Sequence, residues 1–223
     1  MTCIAVIPAR AHSKGLPGKN LKSVAGVSLI GRAVSAAKEA GCFDRIVVTS
    51  DGDAILEEAV RCGAEALRRP AELAEDDSRT IDAVEHALRA LGLDEGICVL
   101  LQPTSPLRTG GDVASAVSLF RSENGGSVVS VCECEHHPYK TFHRDGDGTM
   151  RPMLDMSTLE APRQALPRFF RPNGAIYVND VSELLSHRTF FVEPVALYEM
   201  SEDRSIDIDR ESDLKIAEII QRT

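Results

Sequence analysis

The sequence predicts an α/β protein built on an open, mostly parallel sheet with helices on both faces. Short β-rich apolar runs alternate with amphipathic segments along most of the 223 residues. The run "ICVLLQ" (97–102) shows no polar alternation, as expected of a strand covered on both faces. Hydrophobic residues make up 43% of the chain, enough for the core of one large domain.

The elements follow in order. "CIAVI" (3–7) reads as a buried strand; no basic region precedes it, so it is not expected to be a signal peptide. In "LIGRAVSAAKEAG" (29–41), Leu29, Ala33, Ala36 and Ala40 share one helical face, and Gly41 stops the helix. "RIVVTS" (45–50) is the next strand. Residues 53–62 form a helix, with Asp53 as its N-cap and Gly63 as its stop. "SRTIDAVEHALRALG" (78–92) sets Ile81, Val84, Leu88 and Leu91 at helical spacing behind Ser78 as cap. After the strand at 97–102 comes a helix over 111–123, with Val113, Ala116, Val117 and Phe120 inward, and then the strand "SVVSVCEC" (127–134).

The rhythm breaks over 135–172, which holds five prolines (138, 152, 162, 167 and 172) and little periodicity. Such a stretch is an insertion, a lid or an oligomerisation arm. It leaves 1–134 plus 173–223 for the main domain. Order returns with "NGAIYVN" (173–179), a short helix over 181–187, the run 190–200, and a closing helix over 210–222. "SIDID" (205–209) precedes that helix and alternates as a strand would.

The formal net charge of −9 repels polyanions and argues against nucleic acid as a partner. No apolar run is long enough to span a bilayer. The six cysteines are scattered, several inside apolar runs, which points to a reducing, cytoplasmic setting. The spacing C-x-C-x-H-H from Cys132 to His137 lacks the usual zinc-site separations and reads as a strand with a polar end.

In open α/β sheets ligands sit beyond the carboxyl ends of the strands. The loop after the first strand, Ser50–Asp51 and the 102–105 turn all fall there and should line one crevice. In "PARAHSKGLPGKN" (8–20), Gly15 and Gly18 let the backbone turn tightly, and Arg10, Lys14 and Lys19 add charge. The loop is a phosphate cradle or a solvated basic turn; it is not a Walker A loop. In "SIDID", Ile206 and Ile208 would face the core, and Asp207 and Asp209 would project together, about 7 Å apart along an extended chain. The two carboxylates suit Mg2+ bridged to phosphate oxygens, and Asp209 also suits an N-cap. Gln102, Thr104 and Ser105 can hydrogen-bond a ligand or simply form a rigid turn. Gly174, beside Arg171, suggests a bulge or a close backbone approach.

The blocks "ARAHSKGLPGKNL", "RPAELAEDDS", "LLQPTSPLRTG", "EHHPYKT", "PRQALPRFFRPNGAIY" and "SIDID" resemble, in order and spacing, the bacterial CMP-sialic acid synthetases (N-acylneuraminate cytidylyltransferases). The resemblance runs from about Ile4 to Ala217. It implies a three-layer α/β/α fold of the nucleotide-diphospho-sugar transferase type, with 135–172 as a small dimerisation arm. It implies a cytidylyltransferase that joins CTP to a nonulosonic acid, with Mg2+, and releases pyrophosphate. Members are typically homodimers whose arms reach over the partner's active site. By the resemblance, Arg10, Ser13, Lys14, Lys19 and Asn20 would hold CTP, with Arg10 and Lys14 on the phosphates and stabilising the leaving pyrophosphate. Arg69 and Thr80 would lie near the cytosine and ribose, and Gln102 would contact the sugar. Lys140 and Arg163, from the partner's arm, and Arg171 would surround the sugar carboxylate. Tyr177, Phe190 and Phe191 would receive the acylamino group, and Asp207 and Asp209 would hold the metal. Kdn, legionaminic or pseudaminic acid are alternative sugars, and a non-catalytic nucleotide-sugar sensor is an alternative class.

Overall fold

The computed structural model describes residues 1–13, 15–123 and 125–222. In chain order the strands are β1 (Cys3–Pro8), β2 (Ser23–Val24), β3 (Val27–Ser28), β4 (Arg45–Ser50), β5 (Glu65–Arg68), β6 (Ile97–Leu100), β7 (Ser127–Glu133), β8 (Phe142–Arg144), β9 (Met150–Pro152), β10 (Phe170–Asp180) and β11 (Val195–Glu199). The helices are α1 (Leu29–Ala40), α2 (Asp53–Arg61), α3 (Thr80–Ala90), α4 (Gly110–Ser122), α5 (Met156–Glu160), α6 (Val181–His187) and α7 (Glu211–Arg222). Seven strands form the main sheet in the order β11-β7-β10-β6-β1-β4-β5. β10 runs antiparallel to both neighbours, β6 and β7, and the other pairings are parallel.

The non-alternating strands are explained by the layers. On β1, Ala5 and Ile7 pack on one side with residues of α1, α2 and α4, such as Ala33, Ala59 and Val113. Ile4 and Val6 pack on the other side with residues of α3 and α6, such as Val84, Leu88 and Leu184. β6 divides in the same way, with Ile97 and Val99 on the first side and Cys98 and Leu100 on the second.

A third apolar cluster decides where function can sit. It joins Leu16 of the opening loop, Leu107 of the 102–108 turn, Ile208 of the "SIDID" segment, and Leu214 and Ala217 of α7. Burying a Leu or Ile side chain is worth roughly 1.5–3 kcal/mol. Leu16 and Ile208 therefore pull two segments some 190 residues apart in the chain onto one patch.

Three local expectations change. Asp53 is the first residue of α2 and its side chain pairs with Arg68, so the cap position falls to Gly52. Arg79, not Ser78, precedes α3, and Asp82 Oδ2 accepts its N–H at 3.2 Å. The 205–209 segment joins no strand; Ile208 N–H donates to the Thr104 carbonyl at 2.8 Å. Four-residue β5 was not foreseen, because it is an edge strand with mostly exposed side chains.

Residues 135–169 leave the sheet as an excursion containing the hairpin β8–β9 and α5. Its base is closed by Phe170 opposite Glu133 and by Cys134 N–H donating to the Phe169 carbonyl at 2.8 Å. Phe142, Met150, Met153, Leu154 and Met156 are exposed on it. Among the described residues no helix is long and apolar enough to cross a membrane.

Candidate active site

The opening loop curls back over the carboxyl end of β1. Ala9 N–H donates to the Thr49 carbonyl at 3.0 Å and Ala11 N–H to Asp51 Oδ1 at 2.9 Å. Asn20 is buried and donates to the Arg10 carbonyl at 3.0 Å. Gly18 takes φ 64° at the head of a short helical turn, a left-handed conformation that glycine adopts without strain. Gly15 lies against the Asp209 backbone, where an added Cβ would stand 2.9 Å from its carbonyl oxygen. Lys14 lies outside the described residues.

A cleft of about 300 Å3 opens beside this loop. Arg10, Ser13, Lys19, Asn20, Arg69, Thr80 and Gln102 all line it. Asp51 supports it from behind, 3.8 Å from the Arg69 guanidinium. Arg69 is 5% exposed and its Nε has no hydrogen-bond partner among the described residues. Burial lowers its pKa from the ordinary guanidinium value; Asp51 opposes that, and the Arg10 charge adds to it. Two neighbouring cations with an unspent donor suit an anionic or polar ligand.

The cations facing the cleft are held by exchangeable partners. Arg10 bonds Asp76 Oδ1 at 3.2 Å and the Glu75 carbonyl at 3.1 Å. Lys19 Nζ bonds Asp209 Oδ1 at 3.0 Å. Asp76 and Asp209 are 49% and 70% exposed, and such solvent-facing pairs are worth about 0–1 kcal/mol. A phosphate oxygen can take either cation at small cost.

Asp207 and Arg171 do not line this cleft. They line a second cavity of about 460 Å3, with Asp213, Ser205 and Ile216. Two ties run from residues lining the first to the acid segment: Thr104 accepts from Ile208 N–H at 2.8 Å, and Lys19 pairs with Asp209. Asp207 is exposed at its surface, yet desolvation of its carboxyl and the nearby Asp209 and Asp213 hold its pKa above the usual carboxylate range; Thr104 and Lys19 act the other way. Asp213 is occupied in receiving the N–H groups of Asp209 and Arg210 at 2.9 and 2.8 Å. It thus caps α7, the role expected of Asp209, and Asp209 faces Lys19 instead.

Tyr177 stands between the acids and an aromatic wall. Burial and then Asp207 push its hydroxyl pKa up. Its ring centroid lies 5.5 Å from Phe190 and 5.9 Å from Phe191. Gly174, at φ 77°, sits where a Cβ would meet Gln102 Oε1 at 2.8 Å, so the expected close approach occurs, next to a register shift in β10. Lys140 and Arg163 do not join these groups within one chain. They lie on the excursion and donate to the Leu159 and Cys134 carbonyls at 2.9 Å each.

The residues that sequence reading missed are buried supports. Arg108 is 4% exposed and donates to the Gln102 and Ala175 carbonyls at 3.0 and 2.8 Å, tying the 102–108 turn to β10. Burial lowers its pKa to about 10, against the pull of Asp112. Asp112 is 2% exposed and holds Arg204 through both oxygens at 2.7 Å. Asn173 is buried and donates to Ser205 Oγ at 2.9 Å. Arg204 and Ser205 lead directly into the acid segment.

A family model described as "Cytidylyltransferase" matches residues 4–203. An N-acylneuraminate cytidylyltransferase of Streptococcus agalactiae serotype III is 33% identical over 219 residues, covering 96% of this chain and 52% of that protein. The chain therefore spans about half the length of the streptococcal relatives it matches. A CMP-N,N'-diacetyllegionaminic acid synthase of Legionella pneumophila is 35% identical over 224 residues, covering 98% of this chain and 95% of that one. Among solved structures, a CMP:2-keto-3-deoxy-manno-octonic acid synthetase complexed with CTP superposes with a TM-score of 0.73 at 18% identity, over all of both chains. That likeness, and the mostly parallel sheet with helices on both faces, fix the fold as that of the nucleotide-diphospho-sugar transferases.

Proposed function

The chain belongs to the cytidylyltransferase family, and from that premise we propose that it couples CTP to a sialic acid or a close nonulosonic acid, giving the CMP-sugar and pyrophosphate. One observation carries the reading. A cationic glycine turn and an acid pair meet through the Lys19–Asp209 contact beside a cleft that also presents Arg69 and Gln102.

In this reading Arg10, Lys14 and Lys19 receive the triphosphate, with Ser13 and Asn20 shaping the loop around it. Arg69 and Thr80 take the nucleoside end. Gln102 and Arg171 meet the sugar, and Tyr177, Phe190 and Phe191 wall its acylamino group. The sugar's anomeric hydroxyl oxygen bonds the α-phosphorus as the α–β anhydride bond breaks, and the hydroxyl proton passes to solvent. The cations of the turn stabilise the charge that gathers on the departing pyrophosphate, and no protein nucleophile is needed.

Asp207 and Asp209 fit Mg2+. They are hard carboxylates, two in number, and a divalent cation would offset both the desolvation of Asp207, which raises its pKa most, and the nearby charge of Asp209. When bound, that ion neutralises charge on the triphosphate and orients it. A homodimer belongs to the proposal, supported by the exposed apolar side chains of the excursion and by Lys140 and Arg163 standing apart from their own cleft. The six free cysteines suit a cytoplasmic setting.

The test is pyrophosphate release with CTP, Mg2+ and a panel of nonulosonic acids, for the parent and for Asp209→Ala. The expected result is turnover of at least one sugar by the parent and a loss of at least about a hundredfold in the variant, roughly 3 kcal/mol of barrier. Near-parental turnover by a folded Asp209→Ala removes the acid pair from the mechanism. CTP binding without turnover of any sugar removes the enzyme reading.

A further inference from the structure

Two polar side chains lie where the interior of a sheet ordinarily holds apolar ones. Ser127 on β7 and Asn179 on β10 stand directly opposite each other and are 1% and 0% exposed. Both reach the same loop. Ser127 Oγ donates to the Val192 carbonyl at 2.9 Å, and Asn179 Nδ2 donates to the Phe190 carbonyl at 3.2 Å. Ser127 N–H adds a bond to the Pro194 carbonyl at 3.0 Å. The carbonyls on either side of Phe191 are therefore fixed to the sheet, although residues 188–194 belong to no helix or strand.

Asn179 does this at a cost. Its Oδ1 is buried without a hydrogen-bond partner among the described residues. A half-satisfied buried amide is worse for stability than an apolar side chain of the same shape. Val or Leu would serve the sheet better, so the gain lies outside the sheet. What the pair orders is the loop that sets Phe190 and Phe191 against Tyr177. Phe191 is 48% exposed and has little packing of its own to fix it.

We propose that Ser127 and Asn179 are positioning residues for sugar specificity, holding the aromatic wall at the spacing that accepts the acylamino group. This rests on the reading that Tyr177, Phe190 and Phe191 line the sugar pocket. The chemistry asked of the pair is only to hold two carbonyls; neither residue touches substrate.

The experiment compares Ser127→Ala, Asn179→Leu and the double variant with the parent on an N-acylated nonulosonic acid and on its analogue bearing a hydroxyl in place of the acylamino group. The expected result for the double variant is a KM about tenfold higher for the acylated sugar, the weight of one or two lost hydrogen bonds. KM for the hydroxyl analogue and for CTP, and kcat, stay within about twofold, since a loop displaced by these bonds touches neither. Deuterium exchange of amides 190–193 rises in the same variant. Phe191→Ala is the control. If it raises KM for the acylated sugar and the anchoring variants do not, the proposal is overturned and the pocket stands. If Phe191→Ala changes nothing, the pocket reading falls and the proposal with it. Ser127→Ala removes one oxygen only, so it keeps the test decisive should Asn179→Leu fail to fold.

Discussion

Asp112 is the residue whose removal should be felt most widely. Its buried carboxylate accepts the Thr109 N–H and hydroxyl at 2.9 and 2.7 Å, the Tyr198 hydroxyl at 3.1 Å and Arg204 at 2.7 Å. It also opposes the desolvation of buried Arg108. In Asp112→Ala the α4 N-terminus loses part of its cap, about 1 kcal/mol. Breaking a buried pair by removing one partner costs about 3–5 kcal/mol, and the low end applies because Arg204 is 38% exposed and can turn to water. The total is about 3–4 kcal/mol, and at roughly 2–4 °C per kcal/mol for a domain of this size Tm should fall by about 10 °C. Thermal unfolding followed by circular dichroism measures it. A double-mutant cycle with Arg204→Met should be strongly non-additive, since the two side chains share one interaction. A fall of less than about 2 °C, or simple additivity, would show that this network does not hold the molecule together as described.

Two further outcomes follow from local geometry. Gly174→Ala meets both a positive φ and Gln102 Oε1 at 2.8 Å, so it should destabilise by about 1 kcal/mol and displace Gln102, raising KM for the sugar well before KM for CTP; equal changes in both would remove Gln102 from the sugar side. Glu58 is held below its ordinary 4.5 by hydrogen bonding to Arg61 first, with Ser28 assisting. Its contribution is present above that value and is lost as pH falls through the lower folded pKa. In Glu58→Gln the decline of Tm below about pH 4.5 should be shallower than in the parent, and an unchanged acid limb would remove Glu58 from acid sensitivity.

Much of this was legible in the chain and some was not, for physical reasons. The runs at 3–7 and 97–102 announced buried parallel strands because every residue in them meets a helix on one side or the other. The glycines and cations of 8–20 announced a tight cationic turn, which lies beside the cleft, and the Ile/Asp alternation of 205–209 gave the correct inward and outward faces even though no strand forms there. The caps were misjudged where a longer-range partner won: Asp53 pairs with Arg68, and Ser78 donates to the Glu72 carbonyl at 2.8 Å. Arg108 and Asp112 were invisible because their importance comes from burial, and a charged residue in sequence reads as surface. Asp213 could have been found. An acid three residues beyond Arg210, at the start of a predicted helix, is a recognisable capping position.

The place where the excursion leaves the sheet has a consequence for changes in its length. The chain departs after Glu133 and rejoins at Phe170, and these two residues are already neighbours on adjacent strands. Whatever is spliced between them alters neither the register of β7 and β10 nor the reach of the segments that follow. Lengthening or trimming that appendage thus leaves the cleft formed by its own chain in place, and changes only what Lys140 and Arg163 would bring to a partner.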